Sequence, residues 1–215
     1  MTDHTADRSP VSGAVLLATA IATIALLLNH PGGQATDFAG VLKEEAANLF
    51  MDGVVHGGFI VVLAIQLACY AIFCGRIGWR PLAIAGLAFF AIGAAMQMAS
   101  LTLDGLVIPR IAARYLAAPP DKLPYAKSLF VLCGIAIQLL MPMGLFFQGA
   151  GVASWGATLV KTARGTGLFG ALIGIAVAVM AAGALVTGMS ELLMIAIGLL
   201  AAWAAIAGIT AIRET

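Results

Sequence analysis

Charged residues are scarce in this sequence, and the two signs nearly cancel. They make up 10% of the 215 residues, whereas a soluble domain carries roughly 25%. With 11 Lys and Arg against 10 Asp and Glu, the chain lacks the basic excess that binding to a phosphate backbone requires. The composition therefore argues against an ordinary soluble domain, and we expect no nucleic-acid partner.

Several motifs of well-known catalytic chemistries are also missing. The chain contains no Walker A loop, no HExxH pair and no GxSxG nucleophile elbow, which argues against phosphate-loop, zincin and serine-hydrolase chemistry. It has three cysteines, Cys69, Cys74 and Cys133, and all of them lie within apolar runs. None has the CxxC spacing of a metal site, so we expect them to be small buried side chains.

Long hydrophobic runs, in contrast, are abundant, since 62% of the residues are hydrophobic. Each of six runs is long enough to cross about 30 Å of hydrocarbon as a helix. They cover residues 11–29, 54–75, 81–103, 128–154, 166–188 and 192–212. The sequence therefore predicts an all-α integral membrane protein, with a single six-transmembrane-helix bundle over residues 11–215 and a disordered polar leader over residues 1–10.

The connections between these runs predict an orientation. Two short connections carry Arg76, Arg80, Lys161 and Arg164, and positive residues close to span ends favour the cytoplasmic face. We therefore expect a multi-pass protein of a bacterial-type inner (cell) membrane with both termini cytoplasmic. The long connections, 31–53 and 104–127, would then face the periplasm. The first contains an extracytoplasmic amphipathic helix between helices 1 and 2, at about 36–51.

The segment from Glu44 to His56 carries the first candidate site. On a helix Glu45, Asp52 and His56 fall within about 40° of one another, at 100° per residue. Apolar residues share this face, so we expect the polar groups to point inward, and we predict Asp52, His56 and Glu45 as catalytic residues. The alternative is that Asp52 only caps a helix that begins at Gly53, which would leave His56 as an interfacial residue.

Two other ionisable residues reach the same depth as His56. At 1.5 Å per residue, His30, His56 and Asp104 lie about 27–34 Å along three different helices, measured from the opposite end of each. Imidazole with carboxylate suits a divalent ion such as zinc or copper, and we predict His30, His56, Asp104 and Glu45 as its ligands. The same groups would also suit a proton-transfer pair.

Polar side chains continue the inward faces of helices 2, 3 and 4. Because polar groups avoid lipid, these faces should meet inside the bundle and line a substrate cavity or form a hydrogen-bonded core. For the glutamines, the simpler interpretation is a neutral amide that joins two helices. The predicted cavity residues are Gln66, Tyr70, Gln97, Ser100, Gln138 and Arg110.

The sequence thus favours a metal-binding membrane enzyme or metalloprotein that acts at the outer interface on a hydrophobic or lipid-like substrate. A non-catalytic small-ligand carrier, binding or scaffold protein is the alternative, so the sequence does not decide whether the protein is an enzyme. A b-type haem protein, with two histidine ligands, is a further and less favoured alternative, because His30 precedes a proline at a helix end. Membrane lipid is an expected partner, and a hydrophobic small molecule and a second copy of the chain are left open as others.

Overall fold

The computed structural model describes residues 10–213, which form seven α-helices and contain no strand. Residues 1–9, and with them nearly all of the predicted leader, lie outside the described residues. A π-helical turn, Leu103–Val107, and a short 3₁₀ turn, Pro120–Lys122, connect some of the helices. The helices are α1 Val11–Leu28, α2 Phe38–Arg76, α3 Pro81–Thr102, α4 Ile108–Tyr115, α5 Leu123–Leu159, α6 Arg164–Thr187 and α7 Ser190–Arg213.

The predicted all-α membrane bundle is confirmed. Within the described part of the chain, six helical stretches are long and apolar enough to cross a membrane. Their ends follow local sequence signals: Pro81 stands in the first turn of α3, where a missing N–H costs no hydrogen bond. Gly188 ends α6 with a φ of 72°, a left-handed conformation that glycine adopts without a Cβ clash.

The predicted amphipathic helix forms, but it is the first part of α2 and not a separate element. Asp37 caps α2, its Oδ1 accepting a hydrogen bond of 2.7 Å from the Gly40 N–H. From there the helix runs for 39 residues, about 58 Å at 1.5 Å per residue, without a break at Gly53. Asp52 is therefore not a helix cap, and Glu45, Asp52 and His56 belong to one rigid element.

Helix α3 continues through the π-helical turn into α4, which contains Pro109. The interruption lies before the proline, over Leu103–Val107. Pro109 has no N–H, and in a regular α-helix its ring would clash with the carbonyl of Gly105. A π turn, with its wider hydrogen-bond spacing, accommodates this clash and places Asp104 within the widened turn.

Glycines bring the helices into close contact. A Cβ on Gly13 of α1 would lie 2.6 Å from the Gly208 oxygen of α7, and one on Gly174 would lie 2.3 Å from the Ala153 nitrogen of α5. Gly170 contacts the Trp203 ring of α7. The Gly170-x-x-x-Gly174 motif therefore lets α6 pack against both α5 and α7, as small residues do in membrane helices.

Aromatic rings fill the half of the bundle that lies away from His56. Tyr70 packs against Phe90 and Trp155 with ring centroids 4.7 and 4.6 Å apart, and Phe73 contacts Trp203. Trp155 Nε1 donates a hydrogen bond of 3.1 Å to the carbonyl of Ala83. This tightly packed half leaves internal space at the other end, which we call the histidine end because His30, His56 and Asp104 lie there.

Candidate metal centre

Three helical segments bring His30, His56 and Asp104 together. His30 follows the end of α1, His56 lies in α2, and Asp104 lies in the π-helical turn. His56 Nε2 is 3.2 Å from His30 Nε2 and 3.2 Å from Asp104 Oδ2. One potential ligand atom from each residue lies within 4.8 Å of the other two, so the group could hold a metal ion.

The other nitrogen of each imidazole is held by a backbone carbonyl. His56 Nδ1 is 2.9 Å from the Asp52 oxygen, and His30 Nδ1 is 2.8 Å from the Pro31 oxygen. A carbonyl oxygen can only accept a hydrogen bond, so both Nδ1 atoms must carry the proton. In the neutral rings each Nε2 then carries a free lone pair, and this is the form in which histidine binds a metal.

This arrangement brings three electron-pair donors together with no proton between them. The two Nε2 lone pairs and the Asp104 oxygen point toward one small region, and none of the three atoms has a proton to donate while both rings are neutral. Three electron-pair donors at these distances repel one another unless a cation lies between them. Either an added proton or a metal ion would satisfy all three.

Close packing holds the His56 ring in place. The ring is 2% exposed, and a Cβ on Gly105 would lie 2.2 Å from its Cγ. Only glycine therefore fits directly after Asp104. Sequence reasoning did not single out Gly105, although a glycine next to a candidate ligand inside a helical pattern is a signal of close backbone approach.

Glu44 orders the connection that carries His30. Its Oε2 accepts two hydrogen bonds of 3.0 Å, from the N–H groups of Gln34 and Ala35. Hydrogen bonds to a charged acceptor are stronger than neutral ones. The connection between α1 and α2, which carries His30, is therefore attached near the start of α2, the helix that carries His56 farther along.

One acidic residue of α2 lies directly beside the centre. Asp52 is 6% exposed, and its Oδ1 lies 3.9 Å from His56 Nδ1. Glu45 interacts electrostatically with Asp52, Asp104 and His56. Glu45 does not belong to the His30, His56 and Asp104 group, in contrast to its prediction as a metal ligand, because about 16 Å of helix axis separates it from His56.

A cavity of about 450 Å³ extends from the histidine end into the bundle. Of the predicted cavity residues, Gln66, Gln97 and Gln138 line it, together with the three residues of the centre. Tyr70, Ser100 and Arg110 do not line it. Tyr70 packs in the aromatic half, Ser100 is fully buried, and Arg110 donates to the Leu106 carbonyl on the surface.

Both predicted uses of the glutamines occur together. Gln148 Nε2 donates to Gln97 Oε1 at 2.6 Å, and Gln66 Nε2 donates to Thr19 Oγ1 at 3.4 Å. These amides join helices while they also line the cavity. The sequence did not predict that α6 and α7 also line the cavity. They contribute apolar residues such as Leu185, Leu193 and Ile197, and apolar residues are equally expected on a lipid-facing surface.

The distance between the two imidazole rings tests whether they could be the two axial ligands of a haem. In a bis-imidazole site the macrocycle lies between the two rings, each of which binds the iron from one face. Nε2 atoms 3.2 Å apart leave no room for a macrocycle. The geometry favours a small cation.

Fold and site together define a helical membrane protein with a His/His/Asp group that could bind a metal ion. Comparisons with protein-family models, curated proteins and solved structures found no match to the chain.

Proposed function

We propose that this protein is a metal-dependent membrane enzyme. It binds one divalent ion, zinc in the first place, through His30 Nε2, His56 Nε2 and Asp104 Oδ2, and acts on a hydrophobic or lipid-like molecule in the adjoining cavity. The observation that carries the proposal is the convergence of these three electron-pair donors while both Nδ1 protons are bound to carbonyls.

The spacing of the donor atoms supports a tetrahedral ion. Ligand atoms bound at about 2.0–2.1 Å in a tetrahedron lie about 3.3 Å apart, close to the two observed separations of 3.2 Å. Three protein ligands with a fourth, open position are typical of catalytic zinc. Copper(II) also binds nitrogen and oxygen ligands, and two histidines with one carboxylate bind non-haem iron, so elemental analysis identifies the ion.

The metal would supply a bound water of lowered pKa or polarise a substrate oxygen. Asp52 lies beside the centre without belonging to the converging group, with its Oδ1 3.9 Å from His56 Nδ1. A carboxylate this close to the centre can accept a proton from a reacting group through one water, and this is the role we assign to Asp52. The positive charge of the two short connections supports a site on the periplasmic side of a bacterial-type inner membrane, with both termini cytoplasmic.

Elemental analysis tests the proposal. We expect about one equivalent of metal in the purified protein and at most a few per cent of that in His56→Ala and Asp104→Asn. Asp121→Asn is the matched control, because it makes the same chemical change at an exposed carboxylate paired only with Lys122 in the described structure. Equal metal content in Asp104→Asn and in Asp121→Asn, or no metal in any sample after supplementation, would refute the metal site.

The cavity itself favours a second candidate, a non-catalytic carrier or binding protein. A volume of about 450 Å³ is within the range of small-molecule sites, and such a protein needs no metal. Ligand binding that is equal in the wild type and in His56→Ala, with no turnover in either, would favour the carrier over the enzyme.

A further inference from the structure

We infer that the cavity binds a single-chain amphiphile that enters from the membrane, with an oxygen-bearing head at the metal and one hydrocarbon chain inside the bundle. This inference rests on the proposed function, since it names the substrate class of the same site. Three features of the cavity carry it: its size, its walls and its opening.

The size of the cavity fits one chain. At about 30 Å³ for each water-sized group, 450 Å³ holds about 15 non-hydrogen atoms. Both His56 and Gln66 line it, and ten residues of helix place them about 15 Å apart along α2. The space is therefore elongated along the bundle, and it is too small for a two-chain phospholipid.

The walls between these two levels are apolar. Phe59, Leu63 and Leu101 are all buried, and they line the cavity directly below the centre. Farther in, the amides of Gln97 and Gln66 already bond to Gln148 and Thr19. Groups bonded to each other gain little from a new partner, so the deep end accepts a chain end better than a second polar group.

The opening faces the surroundings of the bundle at the histidine end. Leu185, Met189 and Met194 line the cavity, yet they are 45%, 49% and 41% exposed. They lie at the end of α6 and the start of α7. In a membrane, apolar side chains on the outside of a spanning bundle contact lipid, so this opening lies beside hydrocarbon chains. An amphiphile can keep its head near the interface while its chain moves in.

Binding of chelating amphiphiles to the cobalt(II)-loaded protein in lipid nanodiscs tests the inference, because the visible spectrum of cobalt reports a new ligand on the metal. Dodecanohydroxamic acid carries a metal-binding head and a twelve-carbon chain, and acetohydroxamic acid carries the same head without the chain. The variant Ala201→Phe adds a ring to a buried cavity residue. Ala202→Phe adds the same ring to the exposed neighbouring position and controls for added bulk and for partition of the probe into lipid.

We expect Ala201→Phe to bind cobalt and acetohydroxamic acid like the wild type and to lose at least about tenfold in affinity for dodecanohydroxamic acid, with Ala202→Phe unchanged. If cobalt binds but both phenylalanine variants bind the long probe like the wild type, the chain site is wrong and the metal site stands. If the wild type does not bind cobalt through His56, the proposed function fails first. Should Ala201→Phe not fold, Leu63→Trp offers the same test at another cavity residue.

Discussion

His56 has one nitrogen left for chemistry. Its Nδ1 donates to the Asp52 carbonyl, its ring is 2% exposed, and the backbone at Gly105 packs against it. Nε2 alone faces His30 and Asp104. A substitution at a neighbouring residue that shifts this ring therefore shifts the proposed ligand atom Nε2, even if that residue does not itself bind the metal.

Gly105→Ala should weaken metal binding about 10- to 100-fold, the range seen when groups that orient a metal ligand are changed. The added methyl group would lie 2.2 Å from His56 Cγ, so either the ring or the π turn must shift. Competition with a chelator of known affinity measures the effect. Gly134→Ala is the control, because nothing lies within 4 Å of its added Cβ. Equal affinity in both variants would mean that Gly105 does not position His56.

At the scale of elements, the site depends on how α1, α2 and the π turn are joined. The connection after α1 carries His30 and is bonded to Glu44 in the early part of α2. Since His56 lies on the same unbroken helix, Glu44 links the position of one histidine to the helix that holds the other.

Glu44→Ala should lower metal affinity about tenfold, because two hydrogen bonds to a charged group are lost and the connection gains freedom. The free energy of unfolding should change by less than about 1 kcal/mol, since the group lies near the surface. Lys43→Ala, at the exposed neighbouring position, should leave the affinity unchanged. Metal competition and thermal unfolding measured on the same samples separate the two effects, and an affinity equal to that of Lys43→Ala would exclude this role for Glu44.

The spanning helices could be predicted because hydropathy and length decide them. Helical rise alone predicted that His30, His56 and Asp104 lie at a similar depth. The structure brings their potential ligand atoms within 4.8 Å of one another. At Gly53 the sequence left two interpretations open, because an isolated glycine and a preceding Asp also match a helix start; the structure has the continuous helix that puts Glu45, Asp52 and His56 on one element. The π turn was not predicted, because its wider hydrogen-bond spacing depends on Pro109 and on packing against His56.

For the whole molecule, the bundle is asymmetric along its length. Aromatic rings fill one half, where Trp203 also packs against Gly170, and the cavity occupies the other. A half that contains a cavity forgoes packing contacts. A metal ion at the histidine end would join α1, α2 and the π turn beside this cavity.

Metal removal should therefore lower the unfolding temperature. A ligand present at 100 times its Kd stabilises the folded state by about 2.7 kcal/mol, which corresponds to about 5–10 °C for a chain of this size. Thermal scans with and without EDTA measure the shift. His56→Ala should show no EDTA-dependent shift and Asp121→Asn the full one. An equal shift in His56→Ala would locate the stabilising ion elsewhere.

The π-helical turn has an effect beyond Asp104. One extra residue in a helical turn rotates the rest of the helix by about 100°, and the next element is α4 with Arg110 and Arg114. The direction in which these two cations face is thus set by the same widened turn that presents Asp104 to His56. A deletion of one residue between Ser100 and Pro109 would alter two surfaces at once: the inner ligand set and the charged side of α4. The length of this short segment is therefore under a double constraint.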